Sequence, residues 1–78
     1  MPCMDSRGEL TEMARKILAA MDSPAPLEQV AERTGIPLYR MRSATRELVD
    51  AGLVEEKEGS YVAAEAGRAA LAKHAGQG

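Results

Sequence analysis

Apolar residues recur at a helical period over residues 10–21. Leu10, Met13, Ala14, Ile17, Leu18 and Met21 fall on one stripe at the ~3.6-residue repeat of an α-helix. This is the strongest periodicity in the chain and predicts a first helix with one buried face. Ser6-Arg7-Gly8-Glu9 just ahead of it fits the capping-box pattern, in which the serine hydroxyl and the glutamate carboxylate satisfy free backbone N–H groups, so the helix is expected to open there. Met13 and Met21 share the stripe, which makes core filling, rather than a soft-metal or partner groove, the expected use of the methionines. Asp22-Ser23-Pro24-Ala25-Pro26 breaks the pattern, because proline cannot continue a helix interior although its fixed φ suits a first turn.

A second helix follows from about Pro26 to Thr34, with Leu27, Val30 and Ala31 on its apolar side. Gly35 can take the left-handed conformation that closes a helix, Ile36 turns the chain inward, and Pro37 opens a third helix that stops at Gly52. Within it Met41, Ala44, Thr45 and Leu48 fall at i, i+3, i+4 and i+7, one face of a helix. The period then changes. Leu53–Lys57 and Ser60–Ala63 read as two strands joined by a Glu58-Gly59 turn. From Ala64 a last helix carries Glu65 in its first turn and Lys73 and His74 in its last, charges that suit the helix dipole. Its apolar content is mostly alanine, with Leu71. Residues 1–5 and 76–78 are expected to be loose termini of one domain spanning 1–78. Ile17, Leu18, Val30, Ile36, Met41, Leu48 and Leu53 are the expected core.

Composition narrows the chemistry. Seventy-eight residues make one small domain, and with no Phe or Trp the core must come from Leu, Ile, Val, Met and Ala. Such a chain buries only about 60% of its unfolded surface and is expected to be marginally stable. A homodimer through the first and last helices would add buried area, and the alanine-lined last helix permits close approach. The one cysteine, Cys3, has no partner for a disulfide or a metal site and fits a reducing, cytoplasmic setting. The N-terminus lacks a secretory pattern, and no apolar run approaches the ~18 residues that cross a bilayer, so neither secretion nor a membrane is expected. His74 has no sequence-local nucleophile or ligand partner, and there is no glycine-rich phosphate loop. No enzyme, no cofactor and no metal site are expected.

The net charge is −2, which argues against a protein that coats nucleic acid non-specifically. The charges are unevenly placed, however. Residues 36–46 carry Arg40, Arg42 and Arg46 with no acid among them, while Glu55, Glu56 and Glu58 crowd the hairpin. On the third helix, Tyr39, Arg42, Ser43 and Arg46 share an arc of roughly 100° opposite the apolar face, with Arg40 flanking it. A helix laid in the major groove reads bases through such a face: arginine bonds guanine bidentately, serine reaches several base edges, tyrosine meets a phosphate or a thymine methyl. The plainer reading of the same arginines is a solvated basic face.

Two helices joined through Gly35, then Leu48-Val49-Asp50-Ala51-Gly52-Leu53-Val54, the hairpin and Ala63-Ala64-Glu65-Ala66-Gly67-Arg68 form an ordered set. It resembles the winged helix-turn-helix transcriptional regulators of the MarR, PadR and ArsR kind. The resemblance implies a mainly α fold with a small β-hairpin: a three-helix core, a wing and a C-terminal helix. It implies sequence-specific binding of double-stranded DNA in transcriptional regulation, with the third helix in the major groove. The DNA-reading positions would be Leu38, Tyr39, Arg40, Arg42, Ser43 and Arg46, of which Leu38 departs from the usual polar residue. The hairpin departs as well, since Glu55, Glu56 and Glu58 would be repelled by phosphate. That leaves a second reading, a winged-helix protein–protein interaction module that does not bind DNA, and a plainer one in which these charges only discourage edge-to-edge strand pairing.

Overall fold

The computed structural model describes residues 10–76, with side chains through Lys73. Among these residues the elements run α1 (Glu12–Ala20), α2 (Leu27–Thr34), α3 (Leu38–Asp50), β1 (Val54–Lys57), β2 (Ser60–Ala63) and α4 (Glu65–Gly76). The architecture is mainly helical, with one two-stranded antiparallel hairpin.

Helix α1 starts later than its expected cap. Ser6–Glu9 lies outside the described residues, as do Cys3 and the stretch 1–5. The N-cap is Thr11, in extended conformation, whose hydroxyl accepts the Ala14 N–H at 3.3 Å. The reason is geometric: threonine at this point satisfies one of the free N–H groups of the first turn, and Leu10 before it can then leave the helical path. Leu10 is nonetheless buried, its carbonyl accepting the Arg15 guanidinium at 2.8 Å. Ala14, Ile17, Leu18 and Met21 are buried as the stripe predicts, and Met13 is half-buried at its edge.

The turns follow the glycines. Gly35 closes α2 at φ 76°, its N–H donating to the Ala31 carbonyl at 2.9 Å. The Thr34 hydroxyl donates to the Val30 carbonyl at 2.9 Å and accepts from the Ile36 N–H at 3.3 Å, so one side chain braces the link to α3. At the other end of α3, Gly52 (φ 78°) donates to Val49 and Leu53 donates back to Leu48 at 2.8 Å, which uses up free carbonyls of the last turn. The hairpin turns through Glu58 and Gly59, at φ 51° and 84°, the pair of positive values that matches the twist of a two-residue hairpin. Its register pairs Val54 with Ala63, Glu55 with Val62 and Glu56 with Tyr61.

The core lies where the three helices meet the base of the hairpin. Ile17, Leu18, Val30, Met41, Leu48 and Leu53 are all in it, with Leu10, Met21, Ala25, Val54 and Ala63. Ile36, expected among them, is only half-buried and packs against the cluster from the α2–α3 turn. Fully burying a side chain such as Leu48 stabilises the fold by about 1.5–3 kcal/mol. Two connections fix the hairpin to this body. Tyr61 and Ala25 exchange reciprocal backbone hydrogen bonds of 2.8 and 3.1 Å, and the Ala63 N–H donates to the Met21 carbonyl at 2.9 Å. Helix α4 closes over the base: the Ala64 N–H donates to the Leu53 carbonyl at 2.9 Å, and Arg68 reaches back to the Ala63 carbonyl at 2.9 Å. Gly67 is buried against Leu18 and the Leu53 carbonyl, and a Cβ there would collide with that carbonyl. Gly76, expected in the terminal tail, is the last residue of α4.

Candidate nucleic-acid interface

Helix α3 is held from one side and presented on the other. Met41, Ala44, Thr45 and Leu48 are buried, at most 2% exposed. Their opposite numbers Tyr39, Arg40, Arg42, Ser43 and Arg46 are all exposed, Tyr39 at 71%. With thirteen residues the helix is about 20 Å long at 1.5 Å per residue, enough to reach across a groove of duplex DNA. Arg40, Arg42 and Arg46 are all exposed, so the helix offers three guanidinium groups to solvent.

The five residues do not form one cluster. Arg42, Ser43 and Arg46 border a groove of about 660 Å³ between α3, the start of α2 and the hairpin. Arg40 lies on the far flank of α3 and borders a smaller depression, about 360 Å³, against Lys16 of α1 and the Gly35-Ile36-Pro37 turn. Tyr39 lines neither and stands out alone. Leu38 is half-buried at the head of the helix, consistent with its departure from a polar type.

Several groove residues were not candidates from the sequence. Asp50 continues the row Arg42, Arg46 at i+4 spacing and enters the groove one turn further on. Glu56 and Tyr61 come from the hairpin, and Leu27 from the start of α2. The two-residue turn could have revealed one of these relations, because it fixes Glu56 opposite Tyr61; which hairpin face meets α3 has no local signal. The Tyr61 hydroxyl donates to a Glu56 carboxylate oxygen at 3.3 Å. Partial burial, then the Glu56 charge and this hydrogen bond, raise the Tyr61 phenol above its ordinary value of 10.0. Thr45 also borders the groove from beneath, and its hydroxyl oxygen is buried with no hydrogen-bond partner.

The hairpin charges separate into two roles. Val54, Glu56 and the groove lie on one side of β1, while Glu55 and Lys57 alternate to the other. Strand β2 lies between β1 and Ala25, which leaves β1 as the outer strand, with Glu55, Glu56 and Lys57 exposed along it. Helices α2 and α3 both open on a proline N-cap without a side-chain hydrogen bond, so their first N–H groups are left to other acceptors. Among the described residues no three His, Cys, Asp or Glu side chains stand close enough to hold a metal ion, and no helix is long and apolar enough to cross a membrane. Compared with known proteins, the chain matches no family model, no curated protein and no solved structure.

Proposed function

We propose that the chain is a winged helix-turn-helix protein that binds double-stranded DNA sequence-specifically in transcriptional regulation, with α3 in the major groove. The observation that carries this reading is α3 itself, locked by a buried face and presenting Tyr39, Arg40, Arg42, Ser43 and Arg46 to solvent. Arg42 and Arg46 are the base-reading pair, one helical turn apart, with Ser43 beside them. Arg40, on the other flank, and the open N-terminus of α2 take backbone phosphate. Tyr39 adds a phosphate or thymine-methyl contact. The hairpin following α3 holds the place of the wing. On this reading the protein is a cytoplasmic binding protein without catalysis. It works as a homodimer, and sedimentation at tens of micromolar tests that state: twice the chain mass is expected, and the mass of one chain refutes it.

Fluorescence anisotropy on genomic fragments at two salt concentrations tests the DNA reading. Arg42→Ala and Arg46→Ala are each expected to weaken specific binding by about 1–3 kcal/mol and to relax preference at one base position. Arg40→Ala is expected to lower affinity on every sequence and to reduce the salt slope by about one. A specific observation favours the second reading, a protein-interaction module: Glu56 stands in the same groove as Arg42 and Arg46, where it opposes phosphate. Wild-type binding no tighter than ~10⁻⁴–10⁻⁶ M on every fragment, the non-specific range, would select that module.

A further inference from the structure

The groove beside α3 combines features that a DNA-reading surface does not need. Two cations, Arg42 and Arg46, and two carboxylates, Asp50 and Glu56, border it, so its fixed charge sums to zero. Leu27, Val49 and the Tyr61 ring supply apolar wall between them. Beneath lies Thr45, 2% exposed, with a hydroxyl that no described residue satisfies. An unpaired buried hydroxyl is costly unless something completes it. The groove is half open to solvent, and its volume of about 660 Å³ is large enough to seat a small molecule along one side.

Charge placement selects the ligand chemistry. A simple anion drawn to the arginines is repelled by Asp50 and Glu56, and a simple cation meets the reverse. Arg42, Arg46 and Asp50 follow one another along a single row of α3, about 6 Å apart per step at 1.5 Å rise. A molecule carrying a carboxylate and an ammonium a few ångströms apart matches the Arg46–Asp50 step of that row, with the longer Arg42 and Glu56 side chains reaching in from either side. We propose that this groove binds a zwitterion with an apolar side chain, a free amino acid or a short peptide. Its carboxylate pairs with Arg42 and Arg46 and its ammonium with Asp50 and Glu56. The side chain lies against Leu27, Val49 and Tyr61. The Thr45 hydroxyl, covered by its neighbours, gains its missing partner through a small side-chain shift at the groove floor. This site stands whether or not α3 reads DNA; if it does, a ligand there occupies the same two arginines and competes with bases for them.

The test is a titration of the ¹⁵N-labelled protein followed by NMR, with L-leucine and leucyl-leucine as probes. 4-Methylpentanoate, which lacks the ammonium, and isoamylamine, which lacks the carboxylate, serve as half-probes. Saturable shifts are expected at the amides of Leu27, Thr45, Arg46 and Tyr61 with leucine or its dipeptide, the tighter of the two identifying the source. Each half-probe is expected to bind at least tenfold more weakly. Arg46→Gln and Asp50→Asn should each raise Kd several-fold, and Thr45→Val should weaken binding without lowering the melting temperature. The proposal is overturned if neither zwitterion gives saturable shifts below ~10 mM, a Kd scale of weak but specific sites. It is equally overturned if 4-methylpentanoate binds as well as leucine, or if the shifts survive Arg46→Gln unchanged.

Discussion

Replacing Thr45 with valine keeps the branched shape of the side chain and exchanges its hydroxyl for a methyl group. In a helix the threonine hydroxyl can donate to a carbonyl one turn back; here it is buried and makes no such bond. Folding therefore strips water from this hydroxyl and returns nothing. The penalty for a buried, unpaired polar group is about 1–3 kcal/mol in mutational data. Valine and threonine have similar helix propensities, so the backbone term nearly cancels. Thr45→Val should accordingly stabilise the domain by about 1–3 kcal/mol. For a chain of this size each kcal/mol moves the melting temperature by about 4–8 °C, well within reach of calorimetry. Thr45→Ser is the matched control. It keeps the hydroxyl and removes the buried methyl, and should lose about 0.8 kcal/mol or somewhat more. Urea denaturation with an unchanged m-value would show that the effect lies in the native state. A fall in melting temperature for Thr45→Val would refute the reasoning, because it would mean the hydroxyl is satisfied, by the Met41 carbonyl or a buried water.

Three further outcomes follow from the geometry. Gly67→Ala places a Cβ against the Leu53 carbonyl, backbone that cannot yield, and should destabilise by about 1–3 kcal/mol or more, as overpacking does; a melting temperature equal to wild type would show that α4 can stand off from Leu53. With Tyr39→Phe removing the other of the two tyrosines, ultraviolet titration should place the Tyr61 phenol above 10.0, and Glu56→Gln should bring it down. Since the folded value is raised, the associated stability is fully present below the unfolded pKa and is lost as pH rises through the folded one. Finally, if DNA binding is found, Glu56→Lys should strengthen it more than Glu55→Lys, because only Glu56 borders the groove with Arg42 and Arg46; equal gains would mean that the hairpin acts through its total charge alone.

Local pattern made much of the fold legible. The buried face of α3 was readable residue by residue, because Met41, Ala44, Thr45 and Leu48 obey the helical period and a helix can bury only one side. Gly35, Gly52 and the Glu58-Gly59 turn were readable for a similar reason: each depends on a backbone conformation that few residues adopt. At the start of α1 the pattern misled: the stripe continues through Leu10, yet Thr11 caps the helix and Leu10 is outside it, while Ser6–Glu9 lies beyond the described residues. The candidate face was partly legible. The exposure of Tyr39, Arg40, Arg42, Ser43 and Arg46 follows from period alone. Their division between two grooves does not, since it depends on where the hairpin, α1 and the start of α2 come to rest. Gly67 and the hydroxyl of Thr45 were illegible for the same reason. A glycine needed for a carbonyl's close approach, and a hydroxyl deprived of a partner, are properties of the packed molecule.

The bridge between Ala25 and Tyr61 has a consequence for how the hairpin finds its place. Ala25 stands between Pro24 and Pro26, neither of which has an N–H to give. Across these three residues only Ala25 can donate to β2, and it does so at 3.1 Å while accepting at 2.8 Å. A strand pair is ordinarily at risk of slipping by a residue, with every side chain changing face. Here a slip that set Pro24 or Pro26 opposite Tyr61 would lose that donor, and the Ala63 N–H would leave the Met21 carbonyl. The linker thus acts as a key with a single tooth: it favours the alignment that puts Tyr61 and Glu56, rather than Val62 and Glu55, toward α3. Pro24→Ala and Pro26→Ala together would cut further teeth, and the hairpin could then dock out of step with the helix beside it.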